Sequence, residues 1–372
     1  MHFLIISPVI HKKDEKGYAG YAPYIKEMNL WLKYVDKVTI LAPVTHAAPD
    51  PLESQYVHNN LNFVALPSFN TTTIAATIKT IAILPVIIVK MIYHMRKADH
   101  LHLRCPSNMG LLACLCQILF PAKPKTVKYA NNWDPESAQP LSYKLQQAIL
   151  RSTRFTRNAR VLVYGDWNES SRNIHPFYTA SYFKNMQLPV APRRLATDDC
   201  IKLLFVGTLT PNKRPLLTLE IAQNLIKAGY NIELNLLGDG NQRQELQQLI
   251  NDNQMSQNVV LRGKVHPDEA IEYFKEAHFL VFLSMSEGWP KVVAESMWWG
   301  CLPVTTKVSC VAQMIGNGSR GVLVQPDATQ VTNAITSMIN NPEKYTQMCL
   351  EAIEWSRQYY LEKFEEDIAT FI

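Results

Sequence analysis

SEGWPKVVAESMWWG, residues 286–300, decides the fold. The apolar run at 278–283 before it has the length of a buried parallel strand, and the run after the Gly-Trp-Pro turn has helical spacing. Pro290 stands where a first helical turn tolerates it, since the N–H that proline lacks would have no intrahelical acceptor there. The stretch therefore predicts strand, tight turn and helix. Free amides and the positive dipole end at such a helix start suit a phosphate. Glu287 precedes the turn and Glu295 falls on the first two helical turns. Carboxylates beside a phosphate are out of place unless they grip something neutral, such as sugar hydroxyls. A nucleotide sugar presents both groups.

The rest of the second half repeats this alternation. Strands are expected at 202–206, 232–237, 259–262, 303–305 and 322–324, with helices such as 215–228 and 243–250 between them. Such order gives a parallel sheet covered on both faces. In VGTLTPNKRP, residues 206–215, Lys213 and Arg214 end a loop that leads into a helix opening with Pro215. Basic side chains beside free helix amides form an anion site suited to a diphosphate. Gly238-Asp239-Gly240 follows a strand and would let backbone approach a ligand.

The first half opens in the same style. A strand at 2–7, a loop holding Gly17 and Gly20, a helix carrying Ile25, Met28, Leu32 and Val35, and a strand at 38–42 make a Rossmann-type start without the dinucleotide fingerprint. That glycine loop is expected to meet an acceptor. Further strands are expected at 100–103, 126–130 and 161–163. The second of these runs into Asn131-Asn132-Trp133-Asp134, at the strand end where open α/β sheets place ligands. Residues 151–160, RSTRFTRNAR, space Arg151, Arg154, Arg157 and Arg160 by three, which a helix would gather into a basic stripe facing acidic headgroups or solvent. Residues 74–93 are the greasiest, yet Lys79, Pro85 and Lys90 leave too little to span a bilayer of roughly 30 Å. A buried helix is expected there, with a helix lying in a lipid interface as the alternative. The proline-rich, polar stretch 187–199 reads as a linker.

Bulk properties fit this division. A chain of 372 residues, 47% apolar and 19% charged, has material for two folded domains. Residues 1–190 carry 21 Lys+Arg against 11 Asp+Glu, whereas the remainder carries 16 against 21. The basic half favours an anionic partner, but it lacks the aromatic platform or helical reader of a nucleic-acid binder. Seven cysteines without metal-ligand spacing point to a reducing, cytosolic compartment, and no D-x-D triplet offers a metal site. The start MHFLIISPVI lacks a charged n-region and reads as a first strand.

The succession VGTLTPNKRP, LLGDGNQRQEL, VVLRGKV, AHFLVFLSMSEGWPKVVAESMWWGCLPV and GVLV resembles the donor-binding half of retaining glycosyltransferases of family 4, of the GT-B type. It covers about residues 200–325, and the first half follows only in outline. The resemblance implies an α/β fold with two Rossmann-like domains facing a central cleft. Residues 1–190 would bind the acceptor, 191–355 the nucleotide sugar, and 356–372 would form a helix crossing back to the first domain. Lys213 would bind donor phosphates, with Arg214 supplying charge where Thr208, after Gly207, replaces the family's arginine. Glu287 would contact hydroxyls of the transferred sugar and Glu295 those of the ribose. Backbone at Gly288, Trp289, Lys291 and Val292 would line the sugar and diphosphate, and backbone near Gly263 would hold the base. The family's first-domain histidine falls on Asn131 or Asn132, and Asn131 joins Lys213 and Glu287 as the catalytic set.

No metal or cofactor is expected beyond a UDP- or GDP-linked donor. The expected partners are a glycan or lipid-linked acceptor and an anionic membrane surface, with no nucleic acid. The leading expectation is retaining hexosyl transfer at the cytoplasmic face of a membrane, in polysaccharide or glycoconjugate synthesis. The alternatives are a nucleotide-sugar epimerase of the same fold, which would turn over without acceptor, and a non-catalytic nucleotide-sugar-binding partner, which would bind without transfer.

Overall fold

The computed structural model describes residues 1–15, 17–45, 47, 53–67, 73–196 and 199–372. Two compact units form, Met1–Tyr178 with Lys363–Ile372, and Thr179–Glu362. The strands of the first unit are β1 (His2–Ile6), β2 (His11–Asp14), β3 (Gly17–Tyr21), β4 (Lys37–Thr45), β5 (Glu53–Gln55), β6 (Leu61–Leu66), β7 (His100–Cys105), β8 (Lys125–Tyr129), β9 (Ala159–Tyr164) and β10 (Ile174–Phe177). Its helices are α1 (Ala22–Leu32), α2 (Ile74–Lys97), α3 (Asn108–Cys116) and α4 (Leu141–Arg151).

The main sheet runs β10-β9-β8-β7-β1-β4 with β6 beyond β4, and every neighbouring pair in it is parallel. Both faces are covered, which is why all five residues of β8 are buried. The glycine loop expected after β1 is instead a hairpin. β2 and β3 pair antiparallel, with β2 extending parallel from the end of β4. Gly20 serves packing there: a Cβ on it would lie 3.3 Å from the His11 ring and from Ile25.

Among the described residues three histidines are buried in this unit: His11, His100 and His102. His100 Nε2 and His102 Nδ1 both meet Thr126 Oγ1, at 3.1 and 2.8 Å, and His102 packs against Phe3 and Trp31. Burial lowers His11 and His100 to about 4 and holds His102 well below its ordinary value. A depressed folded-state pKa gives stability that is present above the unfolded value near 6.5 and is lost as pH falls toward the folded one. Each histidine should therefore cost up to about 1.4 kcal/mol per pH unit between pH 6.5 and 4. The urea midpoint should drop steeply between pH 7 and 5, and His102→Phe should flatten that slope whatever its own midpoint. An unchanged slope would refute the assignment.

α2 buries Ile87, Met91, Met95 and Ala98 against the sheet while Ile81, Val86, Val89 and Tyr93 stay exposed. The fully buried helix expected there is thus half open. The arginine run is not a helical stripe either, because α4 ends at Arg151 and the chain turns from there to β9. Arg151 pairs with Glu169 at 2.6 Å and stacks 4.6 Å from Trp133.

The second unit holds β11 (Ile201–Val206), β12 (Ile232–Leu237), β13 (Val259–Gly263), β14 (Phe279–Phe282), β15 (Leu302–Thr306) and β16 (Val322–Val324). Its helices are α5 (Pro215–Lys227), α6 (Arg243–Asp252), α7 (Pro267–Glu276), α8 (Lys291–Trp298), α9 (Val311–Met314), α10 (Ala328–Ile339) and α11 (Pro342–Ser356). All six strands are parallel, in the order β13-β12-β11-β14-β15-β16. Chain direction across the sheet reverses between β11 and β14, which opens a crevice outside their C-terminal ends.

The boundary between units lies at Tyr178, earlier than the expected linker at 187–199. Within the second unit, Tyr182 packs 5.3 Å from Trp298, Leu195 enters the core, and Arg193 donates to the carbonyls of Phe274, Lys275, Trp299 and Gly300. Those prolines shape a strap that is fixed by packing. The helix expected over 356–372 is shorter: α11 ends at Ser356, and α12 (Leu361–Ala369) follows after a break. In the first unit, Phe364 of α12 packs on Phe177 and Tyr178, beside the buried Lys128 ammonium.

Candidate functional site

The site residues of the second unit gather where β11 and β14 end. β11 stops at Val206, and the stem of Lys213 returns over Gly207. A Cβ on Gly207 would sit 3.7 Å from Lys213 Cγ, Cδ and Cε. The return is made by a 3₁₀ turn at Pro211–Lys213, after which Arg214, at φ 53° and ψ 49°, starts α5. A left-handed arginine carries a strain of about 1 kcal/mol, offset here by its anchoring. Arg214 Nη1 donates to the Leu283 carbonyl at 3.1 Å.

The loop after β14 is tied to the loop after β11. The Met285 amide donates to the Asn212 carbonyl at 2.9 Å, and Asn212 Nδ2 donates to the Ser286 carbonyl at 3.2 Å. Lys213 Nζ donates to Glu287 Oε1 in an ion pair whose side chains are 21% and 13% exposed. Lys213 and Glu287 therefore meet, with the lysine stem over Gly207, while Arg214 is anchored to the end of the β14 run at Leu283. Thr208 is exposed, with its hydroxyl 3.4 Å from that of Thr210.

Gly288, Trp289 and Pro290 make the turn into α8. Ser309 Oγ donates to the Gly288 carbonyl at 2.7 Å, which pins the turn. The Trp289 ring lies 6.4 Å from Trp355 and 5.8 Å from Tyr359, and Arg320 covers Trp355 at 5.0 Å. Pro290 is the N-cap of α8 and no side chain caps that end, so Lys291 and Val292 open the helix with main-chain donors at its first turn. Glu295 stands apart on the second turn. It accepts from Ser181 Oγ at 2.5 Å, and burial raises its carboxyl above the usual range against the pull of Ser181 and Lys291.

Gly238 and Gly240 have a different task from the ligand approach expected of them. A Cβ on Gly238 would lie 1.8 Å from the Gly207 carbonyl oxygen, and one on Gly240 would lie 2.3 Å from that of Leu209. The Gly-Asp-Gly turn thus backs the Lys213 loop, with the Leu209 amide donating to the Asp239 carbonyl at 3.0 Å. The Gly263 carbonyl, at the end of β13, accepts from the Gly238 amide at 2.7 Å.

Asn131 belongs to the first unit, on the turn after β8. Its Oδ1 accepts from the Asn132 amide at 2.7 Å, so this carbonyl is folded onto its own backbone. Sequence reasoning missed Ser181, Asn212, Ser309 and the Trp355–Tyr359 pair. Ser181 and Glu295 are 114 positions apart, so no local motif joins them.

Taken together, the second unit presents two cations, a helix N-terminus and two carboxylates at one sheet edge. That set can hold a diphosphate and accept hydrogen bonds from hydroxyls.

Residues 192–355 match the family model described as "Glycosyl transferases group 1". An uncharacterized glycosyltransferase of Methanocaldococcus jannaschii is 28% identical over 163 residues, which cover 43% of this chain and 44% of that protein. Protein CapJ of Staphylococcus aureus is 23% identical over 96% of this chain and 91% of its own. The fold matches the Anabaena protein HepE, solved with UDP and glucose, at a TM-score of 0.66 and 13% identity, covering 100% of this chain and 98% of that one. The chain spans under half the length of the first of these relatives. Residues 192–355 are thus similar to the group 1 glycosyltransferases, in a chain whose two Rossmann-like α/β domains share the fold of GT-B glycosyltransferase structures.

Proposed function

We propose that the chain is a retaining glycosyltransferase that moves a hexose from a UDP- or GDP-linked donor to a glycan or lipid-linked acceptor in polysaccharide or glycoconjugate synthesis. The observation that carries this reading is the Lys213–Glu287 pair over Gly207, at the crevice between β11 and β14 and beside the uncapped start of α8. Lys213, Arg214 and the α8 amides stabilise the departing diphosphate, Glu287 orients the sugar, and Glu295 holds the ribose. A leaving phosphate oxygen then accepts the acceptor's proton on the same face of the sugar. The protein's share of the work is position and electrostatics. Asn131 stays in the proposal as a polar contact of the acceptor side.

The HepE complex with UDP and glucose makes UDP sugars the first to try. Thermal shift across UDP, GDP and their hexose conjugates should pick one donor, since a ligand that binds the native state raises apparent stability. Glu295→Ala should remove most of that rise, transfer should survive chelation by EDTA, and the product should keep the donor's anomeric configuration by NMR. An inverted anomer rejects the retaining course, and an unchanged Glu295→Ala response rejects the site.

The proposal places the enzyme at the cytoplasmic face of a membrane. Among the described residues no helix is long and apolar enough to cross one. The support for peripheral contact is the exposed apolar row Ile81, Val86, Val89 and Tyr93 on α2, with Lys97 at its end.

A further inference from the structure

The arginine run that failed to form a helical stripe makes something else. Arg154, Arg157, Arg160 and Arg172 line a pocket of about 590 Å³ in the first unit, with Lys125 and His175 beside them. It lies where β7, β8, β9 and β10 begin, the sheet edge opposite the one where an open α/β sheet places its main ligand. No carboxylate lines it among the described residues, and none of the four arginines forms an ion pair there.

The pocket is built, and the basic loop is held in shape. Thr156, fully buried, donates to the Ile149 carbonyl at 2.7 Å. Buried Asn173 donates to the carbonyls of Leu150 and Thr156, and buried Gln117 donates to Thr156 Oγ1 at 3.1 Å. Lys125, 2% exposed, gives its ammonium protons to the carbonyls of Phe120, Lys123 and Arg157, at 2.7 to 2.8 Å. Burial lowers this lysine to about 8, so it is still mostly charged at neutral pH. Four exposed arginines therefore line a pocket whose floor holds the buried Lys125, and no carboxylate lines it among the described residues. Such clustering is unfavourable until an anion enters, and planar forks pair best with phosphate or carboxylate oxygens.

We propose that this pocket is a second ligand site, taking a compact anion with at least two phosphate charges, either free in solution or as the headgroup of an anionic phospholipid. It is independent of the donor site and of the apolar row on α2.

The test uses the full chain and inorganic tripolyphosphate, followed by calorimetry with the donor site saturated by the nucleoside diphosphate that the thermal screen selects, so that this site contributes little. Tripolyphosphate should bind, and binding should weaken as salt rises. Arg154→Gln, Arg157→Gln and Arg172→Gln together should raise Kd about tenfold or more. The same triple variant should keep the wild-type thermal response to nucleotide sugar, which shows that it folds. A second arm sediments the protein with vesicles of phosphatidylcholine with and without phosphatidylinositol 4-phosphate, whose headgroup carries a phosphodiester and a phosphomonoester. Arginine-dependent binding to tripolyphosphate alone identifies a soluble phosphate. Arginine-dependent sedimentation with the anionic vesicles, retained in Val86→Asp/Val89→Asp, identifies a headgroup. If neither probe binds, if the triple variant binds both like wild type, or if saturating nucleoside diphosphate abolishes the response to both probes, the second site does not exist.

Discussion

Lys213→Ala should lower kcat by about 10²–10³-fold, the range seen when one preorganised group is removed from a developing oxyanion. KM for the donor should rise far less. The asymmetry follows from the pair with Glu287. Before donor arrives, the carboxylate already neutralises the ammonium, so ground-state binding gains little from Lys213. As the bond to the diphosphate breaks, charge builds on the leaving oxygen, and the ammonium, held over Gly207 by its stem, is there to meet it. Lys213→Arg should recover only part of the rate, because a planar fork does not occupy the place of a compact ammonium. The paired carboxylate gives a check. Glu287→Gln removes a sugar contact but frees Lys213, so it should affect KM and kcat together while leaving the binding of free nucleoside diphosphate equal or tighter. A Lys213→Ala enzyme within threefold of the wild-type kcat would remove the lysine from the mechanism.

The strand–turn–helix around residues 286–300 was legible because its signals are local. An apolar run, a Gly-Trp-Pro turn and a proline at the helix start need no distant partner to act. Lys213 and Arg214 were legible for the same reason, as cations between a strand and a proline-led helix. Positions set by remote contacts were not. Residues 187–199 look like a linker until Arg193 is seen holding four carbonyls of the second unit. The hairpin of β2 and β3 exists because β4 runs on to Thr45 and offers an edge. The arginine spacing is helical, yet Arg151 is drawn to Glu169, and Asn158 takes a left-handed conformation at φ 51° that ends any helix before β9. The charge asymmetry between the two halves was correct as arithmetic and silent about where the charge collects. Gly-Asp-Gly was noticed for the right residue type and the wrong neighbour, since what approaches those glycines closely is the loop after β11.

That neighbour makes Gly238→Ala the substitution with the largest expected cost in stability. Gly238 has φ of +134°, and its Cβ would lie 1.8 Å from the Gly207 carbonyl oxygen and 2.8 Å from the carbonyl carbon. The clash is with backbone, so no rotamer change relieves it, and two sheet-end loops must separate. Destabilisation should exceed about 4 kcal/mol, a range reserved for core disruption and severe strain. Gly229→Ala separates the two contributions. Gly229 also has a positive φ, +91°, but nothing lies within 4 Å of its added Cβ. It should lose only the backbone preference, about 1–2 kcal/mol. Urea denaturation of both variants measures the difference. Equal losses would mean that positive φ alone explains the glycine, and the backing of the Lys213 loop would be refuted. The functional reading predicts a second difference under conditions where both variants remain folded. Parting Gly238 from Gly207 moves the backbone under the stem of Lys213, so Gly238→Ala should weaken the thermal response to nucleoside diphosphate. Gly229→Ala, at the far end of α5 from Arg214, should leave that response intact.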